Sequence, residues 1–180
     1  MLSEIASSRG QEIDIALRVN PDVDAGTHEK ITTGLRTSKF GINIDDAVDV
    51  FNLAATLPGL RPISLALHIG SQLTELDPYE VAFNAIAGLI RTLRANGHKI
   101  YRLDLGGGLG VVYDDETPPS IEAYAAMVKR TVGNLGCKII FEPGRILVAD
   151  AGLLVSKVVH VKEVDSLSVV IVDAAMNDLA

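Results

Sequence analysis

Three apolar runs in this chain, residues 63–69, 100–105 and 138–141, each lead into a polar, glycine-bearing tip, and helix-patterned sequence separates them. The tips read HIGSQ (68–72), LDLGGGLG (103–110) and EPGR (142–145). A nearly unbroken apolar run is what a strand covered on both faces requires, and strands that alternate with helices build parallel α/β structure. In such folds the side chains at the carboxyl ends of successive strands converge on one crevice. The imidazole of His68, the glycine cradle, the carboxylate of Glu142 and the guanidinium of Arg145 are therefore expected to meet there. That set suits a phosphorylated, nitrogen-bearing cofactor.

The rest of the chain keeps the alternation up to about residue 150. Residues 12–20 (EIDIALRVN) predict a strand stopped by Pro21, and residues 45–57 a helix that ends before Pro58. Helices are also predicted over 78–96, ended by Gly97, and over 121–135, ended by Gly136. From Gly152 the rhythm changes to two β-rich runs that turn at Asp165 and Ser166, with no helix between them, which is how antiparallel neighbours look. The expected organisation is an α/β domain over 1–150 and the first strands of a β domain over 151–180.

Length and charge narrow the possibilities. The 180 residues fall short of the ~250 of a complete (β/α)8 barrel, so the α/β part is either compact or incomplete. A formal net charge of −7, with nine Arg and seven Lys scattered along the chain, provides no basic field for nucleic acid. Cys137, the single cysteine, cannot form an intrachain disulfide and reads as a small residue at the edge of the core. No apolar run reaches the ~18 residues of a membrane span, and a soluble, cytoplasmic protein is the default expectation.

Each motif has two readings. The GGGLG segment could let backbone N–H groups approach a phosphate, or could be a tight turn. The dinucleotide fingerprint fails because Val111 stands where a third glycine would be needed, and no GK[ST] marks a P-loop. His68 alone would pass as a structural histidine, but Gly70 and Ser71 directly after it supply close backbone approach and a hydroxyl. The four histidines lack HxH or HExxH spacing, which disfavours zinc. Glu142, placed after Ile139, Ile140 and Phe141, must emerge at a strand tip or find a cation. Arg145 is the local candidate for that cation, and a protonated heteroaromatic nitrogen on a ligand is the alternative. Lys39 is most simply a solvated or paired lysine, and Tyr113, Asp114, Asp115 and Glu116 a solvated acidic loop.

In order and wording, residues 18–42 (RVNPDVDAGTHEKITTGLRTSKFGI), HIGSQ, LDLGGGLGVVY, FEPGR and VDAAMNDL, which contains Asp173, resemble the fold-type III pyridoxal-phosphate decarboxylases. The AGTH segment followed by TG and KFGI resembles the diaminopimelate-specific branch rather than the ornithine, arginine or carboxynorspermidine branches. The resemblance implies part of a (β/α)8 barrel of the alanine racemase-like type, its later strands, followed by the start of a C-terminal β domain. It implies pyridoxal 5'-phosphate as cofactor and meso-2,6-diaminopimelate as substrate, with L-lysine and CO2 as products, and a homodimer for the full-length family member. His68 would stack on the pyridine ring. Ser71, Gly106, Gly107 and Gly108, with the Pro143–Gly144 backbone, would surround the phosphate, and Glu142 would pair with the ring nitrogen. Arg145 would lie near the phosphate and the distal end of the substrate. No metal is implied.

The resemblance also implies groups that these residues do not provide. The family's cofactor-anchoring lysine belongs to an earlier strand, and Lys39 does not sit in its motif. A cysteine–acid pair, a tyrosine and further substrate-binding residues belong to sequence beyond the NDL segment. The expectation is a central piece of a longer protein, inactive by itself. The alternatives are another fold-type III decarboxylase, acting on ornithine, arginine or carboxynorspermidine, and a catalytically dead homologue that holds cofactor or a partner.

Overall fold

A computed structural model of the chain describes residues 1–23 and 40–178. Lys39 and most of the segment between Asp22 and Phe40 lie outside the described residues. The chain divides into two compact units, Met1–Ile146 and Leu147–Ala180.

The first unit is built on a parallel sheet of five strands in the order β2-β1-β3-β4-β5. These are β1 (Ile13–Asn20), β2 (Ile42–Asn43), β3 (Leu60–Ala66), β4 (Arg102–Asp104) and β5 (Lys138–Ile140). Leu65 aligns with Leu103 and Leu103 with Ile139, so the predicted apolar runs lie side by side and in register. Helices α2 (Ala47–Thr56), α3 (Asp77–Ala95) and α4 (Ile121–Thr131) make the connections. A short helix α1 (Leu2–Ser8) precedes β1, and a single turn α5 (Arg145–Val148) follows β5.

Helix α3 shows how sequence drives the packing. It opens with Asp77, Pro78 and Glu80, residues that suit the donor-rich first turn. It then buries Tyr79, Ala82, Phe83, Ile86, Ala87, Ile90 and Leu93, an i, i+3, i+4 stripe. This stripe joins Leu65, Leu67, Leu103, Leu105 and Met127 in one apolar core between sheet and helices. Helix α4 is capped by Ser120, whose hydroxyl accepts the Ala123 N–H at 3.1 Å.

β5 is less buried than its composition suggests. It is an edge strand of the described sheet, and Lys138 and Ile140 are exposed, as is Phe141 after it. In the second unit β6 (Val158–Val164) and β7 (Leu167–Val172) pair antiparallel. Asp165 makes the turn with a φ of 53°, a left-handed conformation that Asp tolerates better than most residues.

Candidate functional site

The site grows from the carboxyl ends of β3, β4 and β5. The chain leaving β3 is held by the bond from Leu67 N–H to Asp104 C=O, and the chain leaving β4 by that from Leu105 N–H to Ile140 C=O, both 3.0 Å. Asp104 turns its carboxylate back to accept the Gly106 N–H at 2.9 Å, and Glu142 N–H donates to Gly106 C=O at 2.8 Å. Gly106 takes a φ of 65° and Gly108 one of 102°, which a side chain would oppose. A Cβ at Gly106 would press on the Leu67 carbonyl, one at Gly107 on that of Glu142, and one at Gly108 on that of Gly70. The glycine run is thus required by the mutual approach of the strand tips themselves. A Cβ at Gly144, by contrast, would meet open space.

A cavity of about 360 Å³ opens at these tips, lined by Arg18, Ala66, Leu67, His68, Asp104 and Glu142. Its size falls in the ~300–1,000 Å³ range of small-molecule sites. His68 and Glu142 therefore share one crevice. Gly107 joins them by donating its N–H to His68 Nδ1 at 3.3 Å. That bond fixes Nδ1 as an acceptor, which an imidazolium cannot be. Burial first, and then the Arg18 charge, push the His68 pKa down, outweighing the opposite pull of Glu142 and Asp104.

Arg145 does not pair with Glu142. Its Nη1 donates to the Tyr113 hydroxyl at 2.5 Å and its Nη2 to Ser71 Oγ at 3.3 Å, with the guanidinium 5.5 Å from the Tyr113 ring centroid. The acidic loop is therefore more than solvated surface. Its Glu116 carboxylate accepts the N–H groups of Tyr113 and Asp114, each at 2.8 Å, and this turn supports the tyrosine over Arg145. Arg145 Nε is buried without a hydrogen-bond partner among the described residues, a state that costs about 1–3 kcal/mol unless a ligand acceptor fills it.

These features fit a phosphorylated pyridinium cofactor. The orphaned Arg145 Nε, the Ser71 hydroxyl and the open space over Gly144 answer to an anionic group. Glu142, with no ion pair among the described residues, answers to a protonated ring nitrogen. No three His, Cys, Asp or Glu side chains gather as a metal centre would need among the described residues.

Three site residues escape a reading of the sequence, and a fourth shows only as a letter of a motif. Arg18 and Asp104 line the cavity but sit inside strand-like sequence, where alternating charge reads as a wet face. Gln72 exchanges two amide bonds with the Val111 backbone, donating Nε2–H to its C=O at 2.6 Å and accepting its N–H on Oε1 at 3.2 Å. This clasp ties the HIGSQ tip to the glycine tip, and Gln72 adopts a φ of 60° in it. Tyr79 of α3 donates its hydroxyl to Gly107 C=O at 3.2 Å. The glutamine was visible as the last letter of HIGSQ; Tyr79 had no signal beyond an apolar helix stripe.

The family model "Pyridoxal-dependent decarboxylase, pyridoxal binding domain" matches residues 1–149. The chain is 50% identical to a diaminopimelate decarboxylase of Zymomonas mobilis and 49% identical to one of Vibrio cholerae, in each case over 99% of this chain and 43% of the relative. The structure of Helicobacter pylori diaminopimelate decarboxylase complexed with L-lysine superposes with a TM-score of 0.91 at 39% identity, covering 98% of this chain and 44% of that one. The chain thus spans less than half the length of the relatives it matches. Its parallel β/α run is part of an α/β barrel, followed by a small antiparallel sheet, and pyridoxal 5'-phosphate is the cofactor implied by the matching domain. With all five strands of the sheet and their tips inside the matched region, the chain belongs to the pyridoxal-dependent decarboxylases, its residues 1–149 being a stretch of their pyridoxal-binding domain.

Proposed function

We propose that the protein carrying this chain decarboxylates meso-2,6-diaminopimelate to L-lysine and CO2 with pyridoxal 5'-phosphate, as a cytoplasmic homodimer. The carrying observation is Glu142, a carboxylate at the tip of β5 that lines the His68 cavity and leaves the neighbouring Arg145 to Tyr113 and Ser71. The substrate is the one named in the relatives at 50% and 49% identity.

When bound, the cofactor supplies a conjugated ring that accepts the electron pair released as the substrate's carboxylate departs. The chain's own residues bind and orient. Glu142 holds a proton on the ring nitrogen by pairing with it, which strengthens the ring as an acceptor. His68, held neutral, packs on the ring without adding charge to it. Ser71, the Gly106 to Gly108 backbone and the Pro143–Gly144 backbone surround the phosphate. Arg145 offers its free Nε and its planar fork to the phosphate and to the substrate's distal carboxylate. Residues 151–180 begin a separate C-terminal β domain.

The test is Glu142→Gln in a protein of the relatives' full length that carries this sequence. Cofactor absorbance should persist while CO2 release from meso-diaminopimelate falls by about 10²-fold or more, the scale of losing one preorganised electrostatic contact. Turnover near the unmodified level would leave Glu142 a bystander. Faster release from ornithine or arginine than from meso-diaminopimelate would move the protein to another branch.

A further inference from the structure

Gly107 is gripped on both sides by side chains. Its N–H donates to His68 Nδ1, and its C=O accepts the Tyr79 hydroxyl. Tyr79 stands in the first turn of α3 with 1% of its surface exposed. Its ring lies 5.2 Å from that of Tyr124, edge-on, and 5.7 Å from that of Phe83. Packed this way the ring cannot follow the glycine tip, and its buried hydroxyl needs the acceptor that Gly107 provides. Burial, and after it Tyr124, push the Tyr79 pKa upward, so the hydroxyl stays a donor.

Across a trans peptide the C=O of one residue and the N–H of the next point in opposite directions. With the Gly107 carbonyl drawn toward α3, the Gly108 N–H faces away from α3. The N–H groups of Gly106, Gly107 and Gly110 are all spent on protein acceptors. That of Gly108 has none among the described residues. Two adjacent glycines could otherwise exchange their peptide orientation at little steric cost, and such a flip would replace the free donor with a carbonyl.

We propose that Tyr79 is a positioning residue that fixes the Gly107–Gly108 peptide so that the Gly108 N–H is presented to the cofactor's phosphate. The inference rests on the reading of this tip as the phosphate site. Its test measures equilibrium binding of pyridoxal 5'-phosphate and of pyridoxal to the cofactor-free, full-length protein, without any turnover. The unmodified protein should prefer the phosphorylated form. Tyr79→Phe, which removes one oxygen, should narrow that preference about fivefold, the scale of one hydrogen bond, and leave pyridoxal binding unchanged. Tyr124→Phe, in the same aromatic cluster but with no bond to the tip, should keep the full preference. A preference retained in Tyr79→Phe would overturn the proposal while leaving the phosphate site standing. Equal narrowing in both variants would also overturn it, because packing would then be the cause. No preference in the unmodified protein would remove the phosphate site and the proposal together.

Discussion

His68 carries two constraints that meet in one protonation state. Its Nδ1 accepts the Gly107 N–H, and burial followed by the Arg18 charge lowers its pKa from the ordinary 6.5. Both favour the neutral ring with its proton on Nε2. Protonation would give up the Gly107 bond and place a second cation beside Arg18, partly offset by Glu142 and Asp104. In the unfolded chain the same histidine titrates near 6.5, so below that pH the unfolded state binds more protons than the folded one. This histidine's contribution to stability is therefore lost as pH falls through 6.5 toward the lower folded value. A ring-resonance titration by NMR should place the His68 midpoint below 6.5, with Nδ1 bearing the shift of an unprotonated nitrogen. A midpoint at or above 6.5 would contradict this account.

At the scale of elements, opposite ends of the sheet do different work. The carboxyl ends hold the site, and the amino ends are tied by Arg94 in the last turn of α3. Arg94 Nε donates to Ile100 C=O at 3.1 Å, Nη1 to Leu135 C=O at 2.6 Å, and Nη2 reaches Cys137 Sγ at 3.2 Å. One side chain thus holds the loops that enter β4 and β5. Arg94→Met should cost about 2 kcal/mol, the loss of charge-assisted bonds to half-buried carbonyls. Cofactor affinity should not change, since the clamp lies away from the strand tips. Urea unfolding beside cofactor titration separates the two effects, and an unaltered unfolding midpoint would refute the clamp.

The same elements show what the sequence could reveal. α3 and the strand tips were legible because burial repeats at a helical period, or runs unbroken, over enough residues to register. α1 was not, since Ala6 is its sole buried residue and no stripe forms. β2, with two residues, is too short for any pattern. β5 was legible as a strand but not as an exposed one, because its apolar residues do not say whether a neighbour covers them. The contact of Tyr79 with Gly107 is set by the packing of α3 across the sheet end, which local sequence does not encode.

For the whole molecule, the decisive feature is how much apolar and hydrogen-bonding surface these residues leave open. β2 and β5 end the described sheet without outer neighbours, and unpaired strand edges template pairing between chains. Phe141, just past β5, is 47% exposed. Every residue of β6 and β7 is exposed, including Val158, Val161, Val169 and Ile171. A lone two-stranded hairpin is marginal in water. The relatives are more than twice as long as the stretch matched here, enough additional chain to cover these surfaces. The 180 residues expressed by themselves should therefore self-associate and release no CO2 from meso-diaminopimelate with added pyridoxal 5'-phosphate beyond a protein-free control. The same sequence carried in a protein of the relatives' length should be soluble and active. Light scattering coupled to gel filtration, followed by the CO2 assay, tests both halves. A monodisperse, active 180-residue monomer would show that the open edges and the exposed hairpin are tolerated, and that the chemistry needs no residue outside this stretch.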